Sequence, residues 1–351
     1  MSTSEPAAAT GAARTHRLRV VEVVAETADA RSLVLEPSPE SAPRFAHRPG
    51  QFLTLKLPGA DGPVARCYSL ASSPHTGEPL KVTVKRVAGG YGSNWVCDHL
   101  AAGDEVEALP PAGTFTPDSL DHDLLLVAGG SGITPVLSIA KSVLAAGTGR
   151  IVLLYANRDE SSVIFRDELR ALTAAHPGRL LVVHWLESLQ GLPVPERLAA
   201  ALAPYAGREA FVCGPGPLMD AVEQALRTLG APGERIHRER FFSLSGDVFD
   251  TPAPAAATGE RDGAVTVELD GETRTVAWPP SAPLLDALLA AGVDAPYSCR
   301  EGACSACTCR VVSGEVRMVR NEVLDARDLA DGYVLACQAL PLTDRVGITY
   351  S

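Results

Sequence analysis

Four cysteines near the C-terminus constrain this chain more than any other feature of its sequence. Cys299, Cys304 and Cys307 follow the spacing C-x4-C-x2-C, and Cys337 comes 30 residues after the third of them. Three thiolates from one loop and a fourth from a distant position are the plant-type ligand set of a [2Fe-2S] cluster. The residues between them are mostly small, so backbone N–H groups can approach the cluster sulfurs. The spacing therefore predicts a site that carries one electron at a time.

Two other uses of these cysteines fit the spacing less well. Structural zinc sites usually pair two short C-x2-C motifs rather than one triplet and a lone cysteine. A disulfide framework is not expected in a chain of 351 residues and eight cysteines without a secretory signal. We expect a reducing, cytoplasmic protein in which Cys67, Cys97 and Cys309 serve as core residues.

Charge and hydropathy exclude some classes of partner. The net charge is −11, which argues against nucleic acid and anionic membranes, and no apolar run is long enough for a membrane span. Residues 263–351 carry a share of this negative charge, which predicts either a docking face or an ordinary solvated surface.

Changes of pattern divide the chain into segments. Residues 1–15 resemble a disordered tail, and residues 244–262, rich in Pro and Ala, resemble a linker. Residues 16–117 contain short strands separated by Pro and Gly, which predicts an antiparallel β-barrel. Residues 118–243 alternate buried strands with helices, which predicts a parallel α/β domain. Residues 263–351 begin with a hairpin around Asp270-Gly271 and contain the cysteine motif.

Two glycine-rich loops in the α/β domain each follow a strand and precede a helix. The first contains Gly130, Gly132 and Thr134, and the second contains Cys213, Gly214 and Pro215. Parallel strands bring such loops together at the carboxyl edge of the sheet, where helix N-termini bind phosphate. The loops predict a dinucleotide site, although either one alone would fit an ordinary turn.

Three motifs in sequence order carry a family resemblance: Arg66-Cys67-Tyr68-Ser69, then the G-G-S-G-I-T-P loop at 129–135, then the C-G-P-G-P-L-M loop at 213–219. They resemble the ferredoxin-NADP reductase superfamily. With a C-terminal ferredoxin module, the arrangement is similar to the reductase components of oxygenases. The stretches 66–74, 82–99 and 153–165 most closely resemble the reductases of 3-ketosteroid 9α-hydroxylases.

The resemblance implies a fold and a set of cofactors. The expected fold class is a multidomain chain with an antiparallel β-barrel for FAD, a parallel-sheet α/β domain for the nicotinamide and an α+β (β-grasp) ferredoxin domain. The expected cofactors are FAD, a [2Fe-2S] cluster held by Cys299, Cys304, Cys307 and Cys337, and NADH, with NADPH possible. In the segment 155–162, an acidic residue would bind the ribose of NADH, whereas Arg158 or Arg166 would accept the 2′-phosphate of NADPH.

The resemblance also implies roles for individual residues. Arg66 would pair with the FAD pyrophosphate, Tyr68 would pack on the flavin ring and Ser69 would donate a hydrogen bond near flavin N5. A second phosphate contact, just before a helix that opens at Trp95, would come from Gly92, Ser93 and Asn94. Glu239 would lie near the flavin edge and Cys213 near the nicotinamide. Phe241 or Phe242 would cover the ring, and the sequence leaves open which of the two does so.

The function implied is that of a reductase component. It would take electrons from NAD(P)H and pass them to a terminal oxygenase, Rieske-type or di-iron, that hydroxylates a steroid. A phenylacetyl-CoA epoxidase reductase, or the reductase of another oxygenase, is the alternative within enzymes. A non-catalytic flavin and iron–sulfur redox sensor is the alternative from another class.

Overall fold

The computed structural model describes residues 15–59, 62–241, 244, 248–249, 263–324 and 326–350. The chain divides into two compact units, one spanning Arg17–Asp247 and the other containing Val248–Ser351. Nearly all of the predicted tail and linker lies outside the described residues, as does Phe242. No helix among the described residues is long and apolar enough to cross a membrane.

The first part of the Arg17–Asp247 unit is an antiparallel sheet that closes on itself. Its elements are β1 His16–Thr27, β2 Ala30–Pro37, β3 Phe52–Leu57, β4 Val64–Ser69, β5 Leu80–Lys85, α1 Tyr91–His99 and β6 Glu105–Ala112. The strand order is β4-β3-β6-β1-β2-β5, and a bridge between Leu70 and Val82 joins the two end strands. Inward-facing Leu and Val side chains fill the interior, because successive residues of a strand point to opposite faces. The predicted antiparallel barrel is confirmed.

The second part of this unit is a parallel sheet with helices on both faces. Its elements are β7 Leu124–Gly129, α2 Ile133–Ala146, β8 Ile151–Asn157, α3 Arg166–Ala175, β9 Leu180–Leu186, α4 Glu187–Gln190, α5 Pro195–Leu202, β10 Glu209–Cys213, α6 Gly216–Thr228 and β11 Ile236–Glu239. The strand order is β11-β10-β7-β8-β9. Leu124 and Leu126 pack into one core and Leu125 and Val127 into another, which explains why β7 is apolar at every position.

The unit that contains Val248–Ser351 is a mixed sheet covered by a helix. Its elements are β12 Ala264–Leu269, β13 Glu272–Ala277, α7 Leu284–Ala290, β14 Thr308–Ser313, β15 Val316–Met318, α8 Ala326–Ala330, β16 Tyr333–Leu335, β17 Ala339–Pro341 and β18 Arg345–Thr349. The main sheet has the order β13-β12-β18-β14-β16, in which β12 and β18 are parallel. Asp270 and Gly271 both have positive φ, which confirms the predicted two-residue hairpin turn.

Buried charges join the barrel to the parallel sheet within the Arg17–Asp247 unit. The Nζ atom of Lys141 on α2 lies 2.6 Å from a carboxylate oxygen of Glu78 and 2.8 Å from one of Glu168, and Lys81 on β5 lies 2.9 Å from Glu168. The hydroxyl of Ser138 donates to the carbonyl of Ser72 at 2.6 Å. Since buried charges are costly unless paired, these contacts fix the position of one sheet against the other.

Candidate functional site

The barrel presents Arg66 beside the start of a helix. Helix α1 begins at Tyr91, not at the predicted Trp95, so Gly92 lies in its first turn. A Cβ atom on Gly92 would meet the Cγ atom of Arg66 at 2.8 Å, so only glycine lets the helix N-terminus approach this arginine. The Arg66 guanidinium donates to the carbonyls of Ala65 and Leu244. A guanidinium beside unpaired helix N–H groups is suited to binding a phosphate.

The side chains of Ser93 and Asn94 hold the preceding loop. The backbone N–H of Val87 donates to the Ser93 hydroxyl at 3.1 Å. The Asn94 amide donates to the carbonyls of Val87 at 3.1 Å and Gly90 at 2.6 Å. These two side chains therefore shape the loop, and the groups they offer to a phosphate are backbone N–H groups of the first helical turn.

Tyr68 supplies an observation that fits a flavin. Its hydroxyl is buried, and among the described residues it has no hydrogen-bond partner. Burial also raises the pKa of this hydroxyl above its ordinary value, so it remains a donor. A buried hydroxyl without a partner costs free energy, which a polar group of a bound cofactor would recover.

Ser69 and Glu239 meet where the barrel faces the parallel sheet. Ser69 ends β4, Glu239 ends β11, and the Ser69 hydroxyl donates to a Glu239 carboxylate oxygen at 3.3 Å. Burial raises the pKa of Glu239 from 4.5 to about 8, although the hydrogen bond from Ser69 opposes the rise. The carboxyl group is therefore mostly protonated at neutral pH and can donate a proton or a hydrogen bond.

Cys213 lies next to this pair. It ends β10 opposite Glu239 in the β10–β11 register, and its side chain is fully buried. Burial raises the pKa of the thiol well above its ordinary value, and the Glu239 carboxylate adds to the rise. The thiol is thus a neutral, compact group at the end of the sheet. The structure thus brings together Ser69, Glu239 and Cys213, the three residues that the family resemblance places around the flavin edge and the nicotinamide.

The two glycine-rich loops touch each other at the carboxyl edge of the sheet. A Cβ atom on Gly132 would collide with the carbonyl of Cys213, and one on Gly214 would lie 2.9 Å from the backbone N of Gly129. Gly130 has a φ of +52°, and its carbonyl accepts a hydrogen bond from Tyr155 at 3.0 Å. Close approaches at Gly132 and Gly214, and the positive φ at Gly130, favour glycine at each position.

Two other predicted loop residues shape helix starts. The Thr134 hydroxyl donates to the Ser131 carbonyl at 3.1 Å, within the first turn of α2. Pro215 precedes α6 as its N-cap, and helix α6 begins at Gly216. Both helix N-termini therefore face the carboxyl edge, where a pyrophosphate would bind.

Sequence reasoning missed Lys85 and Asp29. The Lys85 Nζ atom lies 3.6 Å from the position that a Cβ atom on Gly130 would occupy. The positive charge of Lys85 therefore lies beside the first glycine-rich loop. Asp29 accepts from Arg158 at 3.1 Å and lies 3.8 Å from Lys85. Lys85 ends a strand of the barrel and Asp29 is in a turn between two others, so no local pattern connects them with the loop.

Phe241 is the least constrained of the predicted residues. It lies two residues after Glu239, the last residue of β11, and 47% of its surface is exposed in this chain. An exposed aromatic ring at this place is compatible with packing on a flavin.

Backbone N–H groups donate hydrogen bonds to the sulfurs of three of the four predicted cluster cysteines. The N–H groups of Glu301 and Ala303 each donate to Cys299 Sγ at 3.4 Å, that of Cys299 donates to Cys304 Sγ at 3.3 Å, and that of Cys337 donates to Cys307 Sγ at 3.4 Å. These contacts stabilise thiolates, the form that binds iron.

Within the part of the chain that the structure describes, there is no arrangement of side chains typical of a single-ion metal site. No group of three or more His, Cys, Asp or Glu side chains among the described residues is arranged to hold a metal ion. The fit of the four cysteines to a cluster therefore rests on their N–H···S contacts and on family similarity.

Three family models match separate parts of the chain. They are an oxidoreductase FAD-binding domain at residues 17–116, an oxidoreductase NAD-binding domain at residues 126–224 and a 2Fe-2S iron-sulfur cluster binding domain at residues 267–342. The ferredoxin reductase component of a 3-ketosteroid-9-alpha-monooxygenase from Rhodococcus rhodochrous is 57% identical over 95% of this chain and 96% of its own length. The chain belongs to this family of ferredoxin reductase components.

A more distant relative and a solved structure are also similar to this reductase over most of its length. One subunit of the 1,2-phenylacetyl-CoA epoxidase from Escherichia coli is 37% identical over 95% of this chain and 97% of its own length. The structure of phthalate dioxygenase reductase matches 95% of this chain and 98% of its own, with a TM-score of 0.58 and 26% identity. The predicted family, three-domain fold class and domains for FAD, NAD and a [2Fe-2S] cluster are confirmed, and the chain is an oxidoreductase.

Proposed function

We propose that this reductase takes electrons from NADH and passes them to the terminal oxygenase of a 3-ketosteroid 9α-hydroxylating system. The proposal rests on the 57% identity that extends across all three domains, because a shared partner requires a shared surface as well as shared cofactors. We infer working boundaries of 16–117 for the FAD-binding domain, 118–243 for the nicotinamide domain and 263–351 for the ferredoxin domain. None of the eight cysteines, all of which lie among the described residues, forms a disulfide, which supports a cytoplasmic setting.

Residues of the barrel are assigned to FAD. Arg66, together with the first-turn N–H groups of Gly92, Ser93 and Asn94, would bind the pyrophosphate. Tyr68 would offer its hydroxyl to the cofactor and its ring to the flavin. When bound, FAD accepts a hydride from the reduced nicotinamide, and the [2Fe-2S] cluster carries electrons singly.

Residues of the parallel sheet are assigned to the nicotinamide and to proton control. Gly130, Gly132 and Thr134 on the first loop, and Gly214 and Pro215 on the second, would bind the dinucleotide. Cys213 would fill the end of the nicotinamide pocket without a charge, since its thiol is neutral. Glu239 would hold a proton near neutral pH and accept a hydrogen bond from the Ser69 hydroxyl. Phe241 would exclude water from this place.

A preference for NADH is supported by the partners of the two candidate arginines. Arg158 donates to the carboxylate of Asp29 at 3.1 Å, and Arg166 lies 3.6 Å from Asp167. A 2′-phosphate would have to compete with these carboxylates for the guanidinium groups. NADH carries no such phosphate and requires no such exchange.

Cys299, Cys304, Cys307 and Cys337 are assigned to the cluster. The oxygenase that accepts its electrons would be Rieske-type or di-iron. The similarity to the phenylacetyl-CoA epoxidase component makes the reductase of that system the second candidate function.

The test is an anaerobic titration of the purified protein, first with NADH and then with NADPH, followed in the visible spectrum. Bleaching of both the flavin and the iron–sulfur bands by NADH at lower concentration than NADPH supports the proposal. Steady turnover with candidate oxygenases then distinguishes the steroid hydroxylase from the epoxidase. A protein that is reduced only once and does not turn over with one-electron acceptors would instead be a redox sensor.

A further inference from the structure

The side chain of Gln338 connects the fourth cysteine to the loop of the cysteine triplet, in addition to the contact between the Cys337 N–H and Cys307 Sγ. Gln338 follows Cys337 directly in the turn between β16 and β17. Its Nε2 atom donates to the carbonyl of Arg300, within the triplet loop, at 2.9 Å and to Cys337 Sγ at 3.6 Å. Hydrogen bonds to sulfur are longer than those to oxygen, so both contacts are satisfied by one amide nitrogen.

The chemistry of the two acceptors fixes the amide orientation. A carbonyl oxygen and a thiolate sulfur accept hydrogen bonds and donate none, and an amide nitrogen carries two protons. The nitrogen of Gln338 must therefore face both acceptors, with one proton for each. An amide oxygen in this place would face two acceptors and would be repelled.

The surrounding backbone leaves the Gln338 side chain little freedom. A Cβ atom on Gly302, whose φ is +75°, would lie 3.0 Å from Gln338 Cγ. The backbone N–H of Gln338 donates to Leu335 at 2.8 Å, and its carbonyl accepts from Val319 at 2.9 Å. The side chain is thus held between the triplet loop and β15, and it is only partly exposed.

We propose that Gln338 is a positioning residue that raises the reduction potential of the cluster through its hydrogen bond to Cys337 Sγ. This inference rests on the proposed ligation by the four cysteines. Reduction adds one negative charge to the cluster, part of which lies on the cysteine sulfurs. Because a hydrogen bond to a more negative acceptor is stronger, the Gln338 amide stabilises the reduced state more than the oxidised state.

The first test measures the midpoint potential of the cluster in the full-length, FAD-loaded protein by a redox titration followed by EPR. Gln338→Met keeps the length of the side chain and removes both donors, and Gln338→Glu also adds a negative charge. We expect the ratio of reduced to oxidised cluster at a fixed potential to fall about tenfold in Gln338→Met, which is a shift of about 59 mV for one electron. Gln338→Glu should shift the potential further in the same direction.

Met318→Leu is the matched control. Met318 lies on β15, in the two-stranded sheet that β15 forms with β17, and its sulfur accepts from the Leu335 N–H at 3.2 Å. It donates to no cysteine, so a change of similar volume there should leave the potential unchanged. Iron and sulfide content and the thermal unfolding temperature, measured in parallel, show whether each variant holds its cluster.

A second measurement needs no substitution. Of the four glutamines in the sequence, Gln338 alone lies after residue 262. Protein made by cell-free synthesis with ¹⁵N in the glutamine side-chain amide should show a weak ¹⁵N hyperfine coupling in the EPR of the reduced cluster, because Gln338 contacts a ligand sulfur.

Three results would overturn the inference. The first is a Gln338→Met protein that holds its cluster at the wild-type potential, and the second is an equal shift in Met318→Leu. The third is the absence of ¹⁵N coupling in the labelled wild-type protein. A wild-type protein without a [2Fe-2S] spectrum would overturn the proposed function as well, which separates the two failures.

Discussion

Replacing Glu239 by Gln should remove a pH dependence from the stability of the Arg17–Asp247 unit. The Glu239 pKa is raised from 4.5 to about 8 in the folded chain because the carboxyl group is buried. Between these two values the folded state holds a proton that the unfolded state has released. Stability must therefore fall as pH rises from about 4.5 to about 8, and it should level off above that value.

The size of the effect follows from the two pKa values. One pKa unit corresponds to about 1.4 kcal/mol, so the full rise amounts to a loss of at most about 5 kcal/mol in the free energy of unfolding. Glu239 retains some solvent access, which reduces this limit. We expect a loss of about 2–3 kcal/mol between pH 5 and pH 8 that is present in the wild type and absent in Glu239→Gln. The Gln side chain keeps an oxygen that accepts from Ser69.

The assay is urea unfolding at saturating FAD, followed by the flavin fluorescence that appears when the cofactor is released. The difference between wild type and Glu239→Gln at each pH isolates this carboxyl group from histidines that titrate in the same range. The wild type should lose stability relative to the variant as pH rises. Parallel curves for the two proteins, or a wild type that gains stability relative to the variant toward pH 8, would refute the reasoning.

Three further predictions test other parts of the molecule. Cys304→Ser should keep NADH–ferricyanide activity and lose electron delivery through the cluster. Loss of both activities in a folded, FAD-loaded variant would contradict the idea that the flavin is reduced independently of the cluster. Asp29→Asn should release Arg158 and lower the KM for NADPH several-fold relative to that for NADH. An unchanged ratio of the two KM values in steady-state kinetics would show that Asp29 does not keep Arg158 from the 2′-phosphate. Lys141→Met should leave the half-buried Glu78 carboxylate without the Lys141 ammonium and lower the free energy of unfolding by about 2 kcal/mol, less than for a fully buried pair. The double variant Lys141→Met/Glu78→Gln should recover part of that loss, and equal destabilisation in both proteins would show that the pair is not coupled.

The sequence predicted features that depend on local chemistry. The hairpin at Asp270-Gly271 follows from the left-handed preference of those residues, and the two glycine loops follow from a strand–turn–helix pattern. The closeness of Gly132 to Cys213 was expected only in outline, from the rule that parallel strands share a carboxyl edge.

Features that depend on tertiary contacts were missed or misplaced. The start of α1 was placed four residues late, because Gly92 suggests a loop until the side chain of Arg66 is known to occupy the space beside it. Strand β11 was not predicted, because its four residues, Ile236–Glu239, are mostly polar and form an edge of the sheet. The contact between Asp29 and Arg158 joins positions 129 residues apart, which no local pattern indicates.

The meeting of Ser69, Cys213 and Glu239 depends on how the two sheets of the Arg17–Asp247 unit are held. Ser69 belongs to the barrel, whereas Cys213 and Glu239 belong to the parallel sheet, so their meeting requires a fixed interface. That interface contains the paired charges around Lys141, whose side chain is only 7% exposed. Buried ion pairs add little net stability compared with apolar packing, but they are specific in direction and distance. The charges around Lys141 therefore contribute mainly by setting the position of one sheet against the other, and with it the 3.3 Å hydrogen bond that the Ser69 hydroxyl donates to Glu239.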